Sequence, residues 1–345
     1  MAMGRSIDGV WHDDSSDRHT RDGRFVRRDS QFRNWVSRDG APGPSGEGGF
    51  QAKPGRYHLY VSLACPWAHH TLILRKLKRL EEVVSVSVVH WHMGANGWEF
   101  RAGPGCTTDT VNGARYLHEI YAKARPDYSG RVTVPVLWDK ARGTIVNNES
   151  SEIIRMFNAG FDAWGEAALD FYPEALRPEI DALNERVYAT VNNGVYRAGF
   201  ATGQRAYEEA VEALFETLDM LEDRLTRQRY LVGEVLTEAD WRLFTTLLRF
   251  DPVYVGHFKC NRRRLVDMPN LWGFTRELYQ VPGVVETVNL HHIKQHYYGS
   301  HESVNPSGIV PAGPEIDFTA AHDRARLPAD ALATVGLSGG SGLRP

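Results

Sequence analysis

Apolar and polar positions along this chain follow two rhythms, one of short β-branched runs in the first half and one of helical stripes in the second. Residues 57–62 read as a short strand ending in a turn. From Pro66 onward Leu72, Ile73, Leu77 and Leu80 recur at helical spacing, while Arg75, Lys76, Lys78 and Arg79 fill the other side. Residues 83–89 form a β-branched run short enough for a buried strand. Strand, helix, strand at this spacing is a βαβ unit, which needs a right-handed crossover and a sheet with helices packed on it. Another strand is expected over 131–138. Pro135 inside it cannot donate to a central ladder, so a cis Val134–Pro135 bond at the strand's start is expected, placing the Val134 backbone in a tight turn. Glu149 and Ser150 precede a helix beginning near Ser151, with Ser150 as the expected N-cap.

The second half is helical. Leu176, Ile180, Leu183, Val187 and Val191 lie at helical spacing, and Val211, Leu214, Leu218, Leu221 and Leu225 keep a 3-4 rhythm over four turns, the mark of a core-facing stripe. Leu236-Thr237-Glu238-Ala239-Asp240-Trp241 is a helix-start signal: Thr237 caps, Asp240 reaches back to the Thr237 N–H, and Leu236 staples to Trp241. Three stretches fall outside these rhythms. Residues 1–50 read as an extended arm with Phe25, Phe32 and Trp35 as anchors. Residues 90–127 interrupt the βαβ pattern, with a helix within 111–124 and Trp98 open to two roles, core plug or ligand platform. The Pro- and Gly-rich sequence after Gly299 reads as irregular, passing into a flexible terminus.

Length changes the picture by setting scale: 345 residues with 42% hydrophobic and 24% charged positions suit two domains plus extensions. A formal net charge of −3 gives no electrostatic case for nucleic acid or an anionic membrane. Three cysteines, Cys65, Cys106 and Cys260, make no even disulfide framework, so a reducing, cytoplasmic setting is expected. The N-terminal sequence lacks the apolar core of a signal peptide and no run of about 18 apolar residues occurs, so neither secretion nor membrane spanning is expected. His291, His292 and His296 find no carboxylate or cysteine to complete a ligand set, so no metal is expected.

Cys65 carries the candidate chemistry. Pro66 suits the first helical position, because its missing N–H has no intrahelical partner to lose, which leaves Cys65 at or beside the N-cap. Free backbone N–H groups and the positive end of the helix dipole favour thiolate there, so a pKa below the usual value of about 8.5 is expected. Position 68 is Ala68, so no resolving cysteine follows three residues on.

The ordered set Cys65-Pro66-Trp67-Ala68, Val134-Pro135, Asn147-Asn148-Glu149-Ser150, Asn192-Asn193-Gly194-Val195-Tyr196 and His296-Tyr297-Tyr298 resembles the glutathionyl-hydroquinone reductases, the xi-class glutathione transferases, over about residues 50–315. The resemblance implies an α/β plus all-α protein: an N-terminal extension at 1–50, a thioredoxin-like glutathione-binding domain with an insertion at 51–162, a helical domain at 163–315 and a tail at 316–345. Glutathione is the implied co-substrate, with Glu149 and Ser150 at its γ-glutamyl end, Val134 pairing with its cysteinyl backbone, and Trp98 and Arg131 completing the site. Tyr196 and Tyr297, with His296 nearby, are implied to meet a hydroquinone ring; the sequence alone leaves Tyr297 and Tyr298 as alternatives for the inward position. The implied reaction is reduction of glutathionyl-hydroquinones through a Cys65–glutathione mixed disulfide, by a homodimer. An omega-like thiol transferase or dehydroascorbate reductase would share Cys65 without needing the paired tyrosines, and a non-enzymatic glutathione-fold binding protein would need neither.

Overall fold

The computed structural model describes residues 4–13 and 20–330. The arm is built from two short hairpins. Arg5–Ile7 (β1) pairs antiparallel with Val10–His12 (β2), and Thr20–Arg21 (β3) with Arg24–Phe25 (β4). Each turns on an Asp-Gly pair, Asp8-Gly9 and Asp22-Gly23, with both residues at positive φ, the geometry whose twist matches a two-residue hairpin.

The main sheet follows. Tyr57–Val61 (β5) leads into Pro66–Leu77 (α1) and then Val84–Val88 (β6), which runs parallel to β5 with Tyr57 opposite Val84. Leu117–Ala124 (α2) is the part of the 111–124 segment that is helical. Gly130–Arg131 (β7), Val136–Asp139 (β8) and Thr144–Asn147 (β9) precede Ser150–Ala159 (α3). The four-stranded order is β6-β5-β8-β9, with β8 antiparallel to both neighbours. All five residues of β5 are buried, as a central strand covered on both faces requires, and α1 and α3 pack against each other.

Two local expectations are corrected. Residues 131–138 are not one strand: β7 pairs with β1 of the arm, and only β8 joins the main sheet. The break falls at the cis Val134–Pro135 bond, where the proline has no N–H for a ladder. The cap of α3 is Glu149 rather than Ser150: its carboxylate accepts from the Ser151 backbone N–H at 3.3 Å and the Ser151 hydroxyl at 3.0 Å. Ser150 is therefore already inside the first turn.

In the helical half, Arg177–Val187 (α4) starts with Pro178 in its first turn. The expected regular run to Val191 is interrupted, since Tyr188–Asn192 is a π-helical turn leading into Gly194–Gly199 (α5). Gln204–Arg227 (α6) buries the full Val211 to Leu225 stripe, each such side chain contributing roughly 1.5–3 kcal/mol. Glu238–Arg249 (α7) begins with the expected capping box and runs into a second π-helical turn, Phe250–Tyr254. Pro269–Tyr279 (α8) and Leu290–Ser300 (α9) complete the set. The irregular chain beyond α9 is pinned: buried Arg324 donates to the Leu225 and Gln228 carbonyls at the end of α6. The terminus at 331–345, expected to be flexible, lies outside the described residues. No helix among the described residues is long and apolar enough to cross a membrane.

The α7 capping box yields a pH signature. Asp240 accepts from the Thr237 N–H at 2.7 Å and the Leu231 N–H at 2.7 Å, yet burial outweighs these bonds and raises its carboxyl to about 6. A raised folded-state value means the protonated acid is favoured on folding, so this contribution is present at low pH and is lost as pH rises through about 6. The melting temperature of the wild type relative to Asp240→Asn should therefore fall between pH 4 and pH 7; a difference that grows over that range would contradict the assignment.

Candidate active site

The turn after β5 delivers Cys65 to the N-cap of α1, with φ −77°, ψ 122° and Pro66 at the first helical position. Its thiol lies 3.7 Å from the Val134 carbonyl, to which it donates. The expectation of a depressed thiol pKa is not met. Burial is the largest influence and pushes the Cys65 thiol up; the N–H groups of Ala68 and Trp67 and the charges of Arg249 and Arg27 pull the other way. The helix start behaves as its sequence implies. What the sequence did not display is how much protein covers the sulfur, which keeps only partial exposure to a cavity.

That cavity, of ≈ 210 Å³, is where the chain's two halves and the arm meet. On the sheet side Val134, Glu149 and Ser150 line it beside Cys65, with Trp98 and Arg131 at the flank. The Glu149 carboxylate also accepts from the Ser30 hydroxyl of the arm at 3.1 Å. Trp98 is buried and also lines the cavity: it is 7% exposed and stacks on His296 at 4.8 Å between ring centroids.

On the helical side, Tyr196 of α5 and Tyr297 and His296 of α9 line the same space. The Tyr196 and Tyr297 hydroxyls are 2.5 Å apart. Tyr297 is the inward member of its pair, because Tyr298 instead donates to the Pro252 carbonyl at 3.3 Å and packs on His257. Burial pushes the Tyr196 phenol up to about 12 and the Tyr297 phenol well above its usual range, so both stay protonated near neutrality. Burial likewise holds His296 near 4, neutral, with Nδ1 donating to the Trp91 carbonyl at 2.8 Å. His292 donates through Nε2 to the Pro104 carbonyl at 2.6 Å, so each histidine of the i, i+4 pair has a ring N–H engaged by backbone.

Sequence reasoning offered Phe25 only as an anchor of the arm and missed its neighbours around this wall. Phe25 of β4 stacks on Tyr196 and Phe200, and the Arg27 guanidinium sits 4.3 Å over the Trp67 ring. Tyr254, at the end of the second π-helical turn, reaches the Tyr297 hydroxyl at 3.1 Å and makes the tyrosine pair a chain of three. The arm carried no apolar rhythm to reveal these contacts, although its two Asp-Gly turns were a hairpin signal. Trp67 stood inside the Cys65-Pro66-Trp67-Ala68 motif itself.

A thioredoxin-like sheet with its cysteine at the first helix start, backed by a helical domain that closes over it, defines a cysteine-type glutathione transferase. The family model for the glutathione S-transferase N-terminal domain matches residues 64–159, and that for the C-terminal domain matches residues 204–277. The glutathionyl-hydroquinone reductase YqjG of Escherichia coli strain K12 is 59% identical over 323 residues, spanning 93% of this chain and 98% of that protein. The glutathionyl-hydroquinone reductase PcpF of Sphingobium chlorophenolicum is 56% identical over 312 residues, 90% of this chain and 96% of its own. The glutathione-bound structure of YqjG superposes with a TM-score of 0.86, covering 93% of this chain and 99% of that one at 56% identity. A xi-class glutathione transferase from Natrialba magadii superposes at 0.87, covering 95% and 98% at 48% identity. The chain belongs to the xi-class glutathione transferases, the glutathionyl-hydroquinone reductase family.

Because burial dominates the thiol, alkylation of Cys65 in the ligand-free protein should accelerate with pH through a midpoint above that of an ordinary free cysteine. Iodoacetamide labelling read peptide by peptide measures this. A midpoint below pH 7 would mean the helix start outweighs burial after all. Cys260, fully buried with its thiol pushed up by the same cause, should stay unlabelled over the whole range.

Proposed function

We propose that this protein removes glutathione from glutathionyl-hydroquinones, through a mixed disulfide on Cys65. The observation that carries this reading is that one cavity holds both a helix-start cysteine and a pair of protonated phenols. The thiolate attacks the glutathione sulfur; the bond between that sulfur and the ring carbon breaks, its electron pair staying with the aromatic fragment, which takes up a proton and leaves as hydroquinone. Two sulfurs are thereby oxidised to the Cys65–glutathione disulfide, and the ring carbon is reduced by two electrons. A second glutathione, as thiolate, attacks the bound glutathione sulfur, giving oxidised glutathione and free Cys65. Resolution comes from an outside thiol in this reading, since Ala68 stands where a Cys-x-x-Cys motif would place the resolving cysteine.

In this reading Glu149 and Ser150 take the γ-glutamyl end of glutathione, Val134 pairs with its cysteinyl backbone, and Trp98 and Arg131 close the site. Tyr196 and Tyr297, with His296 beside them, hold the ring hydroxyls; a phenol that stays protonated can donate to charge developing on the departing aromatic. The reading takes 51–162 and 163–315 as the two domains, supported by family matches that fall within each, at 64–159 and 204–277. It also takes the protein to work as a homodimer in a reducing cytoplasm, which sedimentation of the reduced protein and cell fractionation would check.

Mixing the enzyme with one equivalent of glutathionyl-hydroquinone and no free glutathione should release one hydroquinone and leave one glutathione on Cys65 as a reducible adduct. Cys65→Ser should fail both steps, whereas Cys106→Ser and Cys260→Ser should still form the adduct. Full release by Cys65→Ser, read by intact-protein mass spectrometry beside rapid hydroquinone detection, would overturn the assignment.

Tyr196→Phe or Tyr297→Phe should lower hydroquinone-thioether turnover by roughly 10²-fold, the scale of losing one preorganised donor, while sparing reduction of a small glutathione mixed disulfide. Equal losses on both substrates would reject the proposed division of labour. Including dehydroascorbate in the same panel separates this reading from an omega-like reductase.

A further inference from the structure

Three lysine or arginine residues are buried among the described residues, Lys78, Arg249 and Arg324. Lys78 pairs with Asp162 at 3.0 Å, and Arg324 has Glu277 at 3.7 Å. Arg249, the last residue of α7 and 0% exposed, has no carboxylate within salt-bridge distance among the described residues. Its hydrogen-bond acceptors are neutral. Nε donates to the Ala64 carbonyl at 2.9 Å, Nη2 to the Leu63 carbonyl at 3.2 Å, and Nη1 to the Thr245 carbonyl at 2.8 Å and to His69 Nδ1 at 3.2 Å. For Nδ1 to accept, His69 must carry its proton on Nε2, which then donates to the Thr287 hydroxyl at 2.8 Å, and that hydroxyl donates in turn to the Val284 carbonyl at 2.7 Å. Burial and the arginine's own charge keep His69 neutral.

A buried guanidinium satisfied by dipoles alone keeps its full charge in a low-dielectric setting, where it favours an anion nearby. Two of its four bonds go to the carbonyls of Leu63 and Ala64, the residues immediately before Cys65. We propose that Arg249 is a positioning residue for Cys65: it clamps the turn that presents the sulfur and supplies the fixed positive charge against which the thiolate forms. The assignment rests on Cys65 being the nucleophile of the proposed reaction, and not on the identity of the aromatic substrate.

The surroundings are consistent. The charged groups acting on Cys65 are Arg249 from α7 and Arg27 from the arm, with the Tyr196 phenol as the titratable neighbour from α5. The field of Arg249 also reaches Tyr254, Tyr297, His70 and His296. Arg27 is exposed and Arg249 is buried, so water screens the first far more than the second.

The test is the pH dependence of Cys65 alkylation in wild type, Arg249→Lys and Arg249→Gln, resolved by peptide mass spectrometry after thermal melts confirm folding. Arg249→Gln should move the midpoint up by about one pH unit and slow labelling at pH 7 about tenfold. Arg249→Lys, which keeps the charge but not the four-way clamp, should stay within about threefold of wild type. A glutamine profile that overlays wild type, or equal shifts for lysine and glutamine, would overturn the electrostatic role. No hydroquinone is used, so this outcome is independent of whether the proposed reaction holds.

Should the arginine variants fail to fold, Arg27→Gln reads the same field with Arg249 in place. With the exposed cation removed and the buried one kept, the Cys65 alkylation midpoint should stay within about 0.3 pH unit of wild type, because water already screens Arg27. A midpoint raised by about one pH unit would assign the charge to Arg27 and overturn the proposal.

Discussion

Burying Cys65 where β5 hands over to α1 raises the energy of its thiolate, and the fold answers with backbone N–H groups and cations rather than with a neighbouring base. Among the described residues no carboxylate or imidazole accepts from the sulfur; the acceptor in reach is the Val134 carbonyl, a polar group that favours the protonated thiol. The protonated thiol is therefore the favoured form at this position. On the proposed reaction, the same Val134 backbone pairs with the incoming peptide, so a peptide N–H and the thiol S–H would compete for one carbonyl and binding would favour release of the thiol's proton. The surrounding charges decide how far that competition moves the equilibrium.

The parts of the fold that rest on periodicity were legible in the chain. The β5-α1-β6 unit, the α6 stripe and the Thr237–Asp240 box each follow from spacings a few residues long, and each is found where those spacings put it. The breaks were harder to read. The 131–138 strand splits because β7 finds its partner in the arm, 126 residues away from Arg5 to Arg131 in chain order, and no local pattern encodes so distant a partner. The arm hairpins are a different case: Asp8-Gly9 and Asp22-Gly23 announced both turns, but strands of two or three residues carry too little alternation to be recognised by rhythm.

The candidate site was legible to the extent that motifs carried it. Cys65, Trp98, Arg131, Val134, Glu149, Ser150, Tyr196, His296 and Tyr297 were singled out from the sequence, and one cavity gathers them. Tyr254 and Arg249 were not, and the reason is shared. Both belong to the α7 region, where an ordinary amphipathic reading explains a buried aromatic as core and a terminal arginine as a partner for the helix dipole. Only the π-helical turn at Phe250–Tyr254, invisible to a 3.6-residue template, sets Tyr254 toward Tyr297. A similar turn at Tyr188–Asn192 precedes Tyr196, so both departures from regular helix in this domain adjoin the phenol chain.

That placement bears on how one scaffold could combine two unlike binding problems. The sheet side offers backbone groups and a carboxylate, suited to an extended peptide such as glutathione; the helical side offers rings, neutral histidines and phenols that burial keeps protonated. The same desolvation that keeps the phenols protonated raises the cost of a thiolate on Cys65. The two effects pull the site in opposite directions under any uniform change of polarity. A single fixed cation can serve both, because it lowers the cost of negative charge on the sulfur and on an aromatic oxygen alike, and Arg249 lies within electrostatic reach of each. Dryness and anion stability are then supplied by different parts of the molecule, the arm and helices providing the first, and the N–H groups at the start of α1 with the Arg249 and Arg27 guanidiniums the second.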